Sequence, residues 1–242
     1  MFYGEDLAYI QTEAYGGFAE KVAPVLRIML REAGITRTNK DRAKVVDVGC
    51  GDGRWLKALT DAGYDALGVD SSKTLVTIAR RTAPLAKVVR ASIADFKLPP
   101  CDAVTALGEV LAYLPPKGKG PALATTFKRI ARALAPGGLF IFDLIVEGKP
   151  MSYRRKRKGK DWALTTKVQE EDAVLTREIA SQRQVDGDRW RESFETHRLR
   201  IYPRADVVAA LRAAGFTVRT APAYGRHKLL PRRLAFFARL AK

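Results

Sequence analysis

The stretch VVDVGCGDGRW, residues 45–55, places three glycines at alternate positions directly after a short apolar run that contains one aspartate. Glycine loses more backbone entropy on folding than any other residue, so Gly49, Gly51 and Gly53 indicate a tight turn that something approaches closely. The residues before the turn predict a strand, and those after it predict a helix. Such a unit gathers backbone N–H groups at one point, where a nucleotide-like ligand binds.

Strand and helix patterns alternate along the chain on both sides of this turn. Helical spacing covers residues 2–32, with an interruption at Gly16 and Gly17, and residues 66–70 predict a second strand. The alternation occurs five times and ends in the apolar run LFIFDLIV, residues 139–146. We therefore predict an α/β fold in which a doubly wound, mostly parallel sheet is covered by helices on both faces.

After Pro150 the pattern changes to long, polar, partly alternating runs separated by EED and DGD. This pattern is typical of hairpins, so we predict an antiparallel β insertion at residues 151–200. Residues 1–150 and 201–242 then form the core, and the second of these pieces adds one helix and two strands.

Basic residues outnumber acidic ones in this chain. Its 242 residues include 43 Lys or Arg and 26 Asp or Glu, which gives a formal net charge of +17. This excess favours anionic partners such as nucleic acid, a membrane surface or an acidic metabolite. The densest basic run, RRKRKGK, begins at Arg154 and ends at Lys160. It is either a solvated surface segment or a grip for phosphates.

The sequence contains no apolar run of membrane-spanning length, and its first residues are acidic and aromatic. We therefore expect a cytoplasmic protein without a membrane segment. Its two cysteines, Cys50 and Cys101, do not suggest a disulfide framework, and reduced thiols are expected. With two scattered histidines, no metal site is predicted.

The glycine turn reads G-x-G-x-G, and Arg54 stands where the dinucleotide pattern G-x-G-x-x-G has its last glycine. Asp47 precedes the turn, Asp70 ends the second strand, and LAPGGLFIFDL occupies residues 134–144. This ordered set, which spans about residues 44–145, resembles the class I S-adenosylmethionine-dependent methyltransferases. The resemblance implies a Rossmann-like fold with a seven-stranded sheet, and S-adenosyl-L-methionine as cofactor.

The resemblance also implies a cofactor site. In it, Asp47 positions the amino group of the methionine portion, and Asp70 accepts hydrogen bonds from the ribose hydroxyls. Ser92 and Ile93 stand where the family has an acidic residue and an apolar neighbour around the adenine. Serine departs from that pattern, which leaves Asp95 or backbone groups as alternatives. The complete set of predicted cofactor-binding residues is Tyr9, Tyr15, Asp47, Gly49, Cys50, Gly51, Gly53, Asp70, Ser71, Ser92, Ile93, Leu107 and Gly108.

Two further parts of this set follow from the same resemblance. The N-terminal pieces YGEDLAYI and TEAYGGF resemble the lid of small-molecule methyltransferases, so Tyr9 and Tyr15 are expected to close over the cofactor. Leu107 and Gly108 end the fourth strand and are expected to pass beneath the sulfonium.

Three residues are candidates for contact with the methyl acceptor, the molecule that receives the methyl group; we call their region the acceptor side. Glu109 and Tyr113 follow the fourth strand at the ligand end of the sheet, and His197, in the insertion, is a candidate base. Each also has a purely structural interpretation: Glu109 as an acid in the first turn of a helix, Tyr113 as a core residue, and His197 as a surface or packing residue.

The acceptor is predicted to be a small molecule. After the fourth strand the chain reads ALGEVLAYLP instead of the Asn or Asp, two prolines and aromatic that are usual in enzymes acting on base amines. The antiparallel insertion resembles the one with which sugar N-methyltransferases cover their acceptor. We therefore predict transfer to an N or O atom of a small molecule. The alternatives are an RNA methyltransferase that holds phosphates through residues 154–160, and a protein that binds the cofactor without turnover.

Overall fold

The computed structural model describes residues 2–36, 42–115 and 120–241. Its helices are α1 (Glu5–Tyr15), α2 (Gly17–Glu32), α3 (Arg54–Asp61), α4 (Lys73–Thr82), α5 (Leu123–Ala133) and α6 (Arg204–Ala213). Its strands are β1 (Lys44–Val48), β2 (Asp65–Asp70), β3 (Lys87–Arg90), β4 (Cys101–Ala106), β5 (Leu134–Ile145), β6 (Ser152–Lys158), β7 (Trp162–Glu171), β8 (Val174–Asp186), β9 (Arg189–Arg200), β10 (Phe216–Ala221), β11 (Ala223–Tyr224), β12 (His227–Lys228) and β13 (Arg233–Leu240).

Seven strands form the central sheet in the order β10-β13-β5-β4-β1-β2-β3. Strands β1 to β5 are parallel where they pair, and β13 runs antiparallel to both β5 and β10. The predicted α/β fold with a mostly parallel seven-stranded sheet is confirmed. Because the strand order reverses between β1 and β4, their carboxyl ends open a crevice of the kind where doubly wound folds bind ligands.

Both faces of this sheet are buried, which explains its nearly continuous apolar strands. Phe140 and Phe142 pack with α5 and α6 on one face, whereas Ile141 packs with α2 and α3 on the other. Alternate residues of β5 thus serve two separate cores. Cys50 and Cys101 are free and buried.

The second sheet is antiparallel, with the order β6-β7-β8-β9, and it lies where the hairpin pattern was predicted. Its inner face receives α1, since Leu7 and Ile10 share an apolar cluster with Trp162, Leu164 and Ile179. The first helix is therefore held by the second sheet. None of the helices among the described residues is long and apolar enough to cross a membrane.

Candidate functional site

The glycine turn joins β1 to α3 at the carboxyl edge of the central sheet. All three of its alternating glycines have positive φ, namely 69° at Gly49, 56° at Gly51 and 82° at Gly53. The turn is fastened to the next strand because the N–H groups of Gly49 and Cys50 donate to the carbonyl of Val69, at 2.6 and 3.1 Å. Residues other than glycine rarely adopt this backbone conformation.

The glycines of the site meet different surroundings. A Cβ on Gly49 would collide with the side chain of Val110, and one on Gly53 would come within 2.8 Å of Ala79. A Cβ on Gly51 or on Gly108 would meet nothing within 4 Å. The first two positions are closed by packing, whereas Gly51 and Gly108 present bare backbone to open space. The two bare positions therefore leave room for a ligand beside the turn.

Asp70, at the end of β2, points its carboxylate at this turn. One oxygen accepts from the N–H of Gly51 at 3.0 Å, and the other accepts from the N–H of Ser72 at 2.8 Å. The cap of α4 is Ser72, whose Oγ accepts from the N–H of Leu75 at 3.2 Å. Burial raises the pKa of Asp70. Its carboxylate therefore lies beside the open glycine and is not used as the helix cap.

Asp47 lies almost completely buried beneath the turn. Its Oδ1 accepts from Thr105 Oγ1 at 2.6 Å, and Thr105 in turn accepts from Trp55 Nε1 at 3.1 Å. Burial raises the pKa of Asp47 to about 7. A cationic ligand group beside this carboxylate would favour its ionised form.

The side chains of Cys50, Ser71 and Ser92, which were also predicted to bind the cofactor, are placed differently from those of Asp47 and Asp70. The Cys50 thiol packs into the core, and burial raises its pKa well above the usual value. Ser71 is exposed. Ser92 Oγ accepts from the N–H of Ala94 at 3.2 Å, and the carbonyl of Ile93 accepts from Arg129 Nη1 at 2.9 Å. Ser92 and Ile93 thus sit in a loop with fixed shape after β3.

The two predicted lid tyrosines lie in different places. The Tyr9 hydroxyl donates to Asp161 at 2.5 Å, and the Arg183 guanidinium stacks 3.8 Å from the Tyr9 ring. Within the described ranges, no hydrogen bond or ring contact joins Tyr9 to the glycine turn. Tyr15 is partly exposed and lies beneath Arg157, whose Cζ is 4.7 Å from the ring centroid.

A different tyrosine, Tyr3, connects the N-terminus to the cofactor side. Its carbonyl accepts from Ser72 Oγ at 2.7 Å, next to Asp70. Its hydroxyl shares a hydrogen bond of 2.8 Å with the hydroxyl of Tyr113. The N–H groups of Tyr3 and Gly4 donate to Glu195, at 2.8 and 2.7 Å. The N-terminal segment is thus tied to both sheets.

Glu109 is buried at the end of β4, in a left-handed conformation with φ 65°. It forms ion pairs with two arginines from distant segments, Arg177 of β8 at 2.6 Å and Arg233 of β13. Burial lowers the pKa of Arg233 to about 10, which leaves its guanidinium protonated at neutral pH. The predicted acidic candidate is therefore the centre of an ionic cluster.

Asp143 fixes the backbone that carries Glu109. Its carboxylate accepts from the N–H groups of Gly108 and Glu109, at 2.8 and 3.0 Å, and from the Tyr224 hydroxyl at 2.9 Å. Burial raises the pKa of Asp143 to about 6. Two successive left-handed residues are thereby held in place by one carboxylate.

His197 and Tyr113 lie in the same region as Glu109. His197 is paired across the strands with Arg177, is buried, and has Nε2 at 2.8 Å from Glu195. The rings of Phe2 and Tyr113 lie 5.1 and 5.6 Å from the His197 ring. The structure thus brings the three acceptor-side candidates together.

Several residues of this site were missed in the sequence. Arg177, Arg233 and Glu195 carry no local pattern that separates them from the many other charged residues. Asp143 had one: it is the single acid in the most apolar strand of the chain. A carboxylate in a strand buried on both faces needs partners, and here the partners build the site.

The basic run at residues 154–160 falls mostly on β6, an edge strand of the second sheet. Its side chains are exposed, except that Arg157 is half-buried beside Tyr15. Arg154 pairs across the strands with Lys167, and Arg157 pairs with the buried Leu164. Arg157 therefore lies on the face that packs toward α1.

Comparison with known proteins shows the family to which the chain belongs. The model of the methyltransferase domain family matches residues 18–221. An N,N-dimethyltransferase of dTDP-3-amino-3,4,6-trideoxy-alpha-D-glucopyranose from Streptomyces venezuelae is 24% identical over 221 residues, 88% of each chain. A ubiquinone biosynthesis O-methyltransferase from Alkalilimnicola ehrlichii is 31% identical over 128 residues, 50% of this chain and 49% of that protein.

Among solved structures, an S-adenosylmethionine-dependent methyltransferase from Clostridium acetobutylicum superimposes with a TM-score of 0.80 at 18% identity, over 97% of this chain and 98% of that one. The chain therefore belongs to the methyltransferase domain family and is a class I S-adenosylmethionine-dependent methyltransferase. The sequence-based recognition of the family is confirmed.

Proposed function

We propose that the protein transfers a methyl group from S-adenosylmethionine to an N or O atom of a small molecule bound between the two sheets. The main support for this proposal is that the second sheet and the N-terminal segment cover the carboxyl edge of the central sheet. Arg177 from the second sheet reaches Glu109, and Glu195 from the same sheet holds the N-terminal segment. A covered site of this kind suits a small acceptor better than a long polymer.

The cofactor side is assigned to the residues around the glycine turn. S-adenosylmethionine supplies a methyl group on a positively charged sulfur. In this assignment the bare backbone at Gly51 and Gly108 would give it room, and Asp70, which lies beside the N–H of Gly51, would accept from the ribose hydroxyls. Asp47 would face the amino group. The lid roles of Tyr9 and Tyr15 stay predictions. The contacts of Tyr3 with Tyr113 and Ser72 support Tyr3 as a further member of the lid.

The residues of the acceptor side act by positioning. Holding an acceptor in line with the methyl carbon contributes about 7–11 kcal/mol to lowering the barrier. Glu109, Tyr113 and His197 are assigned to this task, and residues 151–200 are assigned to covering the acceptor. The similar proteins described above support a small acceptor, because one is an N,N-dimethyltransferase of a dTDP-amino sugar and the other is an O-methyltransferase of ubiquinone biosynthesis.

Transfer of labelled methyl from S-adenosylmethionine into a cell extract tests the proposal. The extract is afterwards separated into nucleic acid, protein and small metabolites. We expect label in the metabolite fraction, and no label with an Asp70→Ala variant. Label that appears only in RNA, and that is lost when residues 154–160 are neutralised, would establish the RNA alternative in place of this proposal.

Cytoplasmic location also stays a prediction. Fractionation of cells that express the tagged protein checks it, with recovery in the cytosolic fraction as the expected result.

A further inference from the structure

Two arginines converge on one carboxylate at the acceptor side. Arg177 and Arg233 both pair with Glu109. Arg157 lies over the ring of Tyr15, and Tyr15 is close enough to Arg233 to oppose, in part, the lowering of its pKa by burial. Arg157, Tyr15 and Arg233 therefore form a series of neighbours that leads from the exposed edge strand to Glu109. We call the three arginines the arginine path. Among the described residues, Glu109 is the one carboxylate that forms an ion pair with any of them.

The two inner arginines have donors to spare. Each guanidinium offers five N–H donors in a planar fork. Arg177 uses Nη2 and Arg233 uses Nε to reach Glu109, and neither guanidinium forms a further hydrogen bond to any described residue. Their side chains are 17% and 21% exposed, so the remaining donors reach solvent. Such forks match a carboxylate, which accepts two parallel hydrogen bonds.

The acid closest to the two arginines is not free to act as a base, because two guanidiniums share the Glu109 carboxylate. An alcohol or phenol must lose a proton during methylation, and it offers the two guanidiniums a single oxygen. An amine has one lone pair, and because the methyl carbon takes it, none is left for the arginines. A carboxylate is ionised at neutral pH and keeps lone pairs for both.

We propose that the methyl acceptor is a carboxylate, oriented by Arg177 and Arg233, and that the product is a methyl ester. This inference rests on the proposed function and narrows it to one class of oxygen acceptor. A carboxylate oxygen forms a bond to the methyl carbon while the carbon–sulfur bond breaks. The sulfur keeps the electron pair and becomes a neutral thioether, and no proton moves. Because the ester is uncharged, its attraction to the guanidiniums falls after transfer.

The chemical stability of the transferred label tests this proposal. Label from S-adenosylmethionine is transferred into the small-metabolite fraction of an extract, which is then treated with mild alkali. Methyl esters hydrolyse and release volatile labelled methanol, whereas N-methyl groups and methyl ethers do not. We expect most of the label to become volatile. Label that stays non-volatile overturns the carboxylate assignment and leaves the proposed function standing. Absence of label from metabolites overturns both.

Variants of the arginines give a second test. The probe is the anionic metabolite fraction retained on an anion exchanger, supplied below saturation. We expect Arg177→Gln to lower transfer at least tenfold and Arg177→Lys to lower it less, while calorimetric binding of S-adenosylmethionine stays within twofold of wild type. Transfer by Arg177→Gln at the wild-type level overturns the proposal.

If Arg177→Gln fails to fold, a variant of Arg157 still tests the proposal, because replacement of Arg157 breaks no buried ion pair. Arg157→Gln is compared with Arg154→Gln, which lies on the same edge strand but on the opposite face. We expect slower transfer with the first variant only, by a factor that shrinks as salt is raised. Equal transfer by the two variants overturns the role of the arginine path.

Discussion

Replacement of Gly51 by alanine separates ligand binding from folding. The added Cβ meets no protein atom within 4 Å, so the protein itself tolerates its volume. The backbone at Gly51 has φ 56°, however, and a left-handed alanine costs about 1–2 kcal/mol relative to glycine. For a chain of this size, that cost lowers the unfolding temperature by about 2–8 °C.

The effect on cofactor binding is larger than this folding cost suggests. The added methyl group would occupy space assigned to S-adenosylmethionine, and forcing an extra methyl into a packed contact costs about 1–3 kcal/mol. We therefore expect Gly51→Ala to weaken binding of S-adenosylmethionine by about 5- to 150-fold. Isothermal titration calorimetry, at a temperature well below that of unfolding, measures this change in affinity.

Gly63 provides a matched control. It has φ 86°, a Cβ there also meets nothing within 4 Å, and it follows α3 at the opposite edge of the sheet from the glycine turn. Gly63→Ala should show a similar loss of unfolding temperature and unchanged binding. If Gly51→Ala binds S-adenosylmethionine as tightly as Gly63→Ala does, the open space at Gly51 is not the cofactor site.

Three further predictions concern the acids Asp47, Asp143 and Glu195. The pKa of Asp47 is about 7, and a cationic ligand binds its ionised form. The affinity for S-adenosylmethionine, measured by calorimetry, should therefore fall about tenfold from pH 8 to pH 6. The Asp47→Asn variant should lose most of this pH dependence. Asp143→Asn leaves a buried N–H without its acceptor, so denaturant unfolding should show a loss of about 1–3 kcal/mol, with a smaller loss for Tyr224→Phe; equal stabilities would contradict the contacts described. Glu195→Gln should speed hydrogen exchange at the N-terminal amides that it holds, and unchanged exchange would show that other contacts fix this segment.

Much of the fold was predictable because burial imposes it locally. The central strands are buried on both faces and therefore read as apolar runs, and the strands of the second sheet have one buried face and therefore alternate. The short hairpin of β11 and β12 was not predicted, since each strand has two residues and no periodic pattern. Strand β5 also begins at Leu134, five residues before the apolar run, because pairing with Cys101 continues through the Pro-Gly-Gly turn.

The two halves of the site differ in how far the sequence reveals them. The cofactor half depends on residues within one turn and at the end of the next strand, so their order along the chain, together with its resemblance to the methyltransferase family, was enough to predict it. The acceptor half joins Glu109, Arg177 and Arg233, which lie far apart along the chain and meet only in the folded protein. Glu109 was predicted from its place after β4, whereas the arginines that surround it required the fold.

The most direct test of the account is calorimetric titration of S-adenosylmethionine into wild type, Asp70→Ala and Asp65→Ala. Asp70 ends β2 beside the open glycine, whereas Asp65 begins the same strand, with a half-exposed side chain and a weak ion pair to Lys44 at 3.7 Å. The account predicts that Asp70→Ala loses measurable binding while Asp65→Ala binds like wild type. Unchanged affinity in Asp70→Ala would contradict the assignment of the glycine turn and Asp70 as the cofactor site.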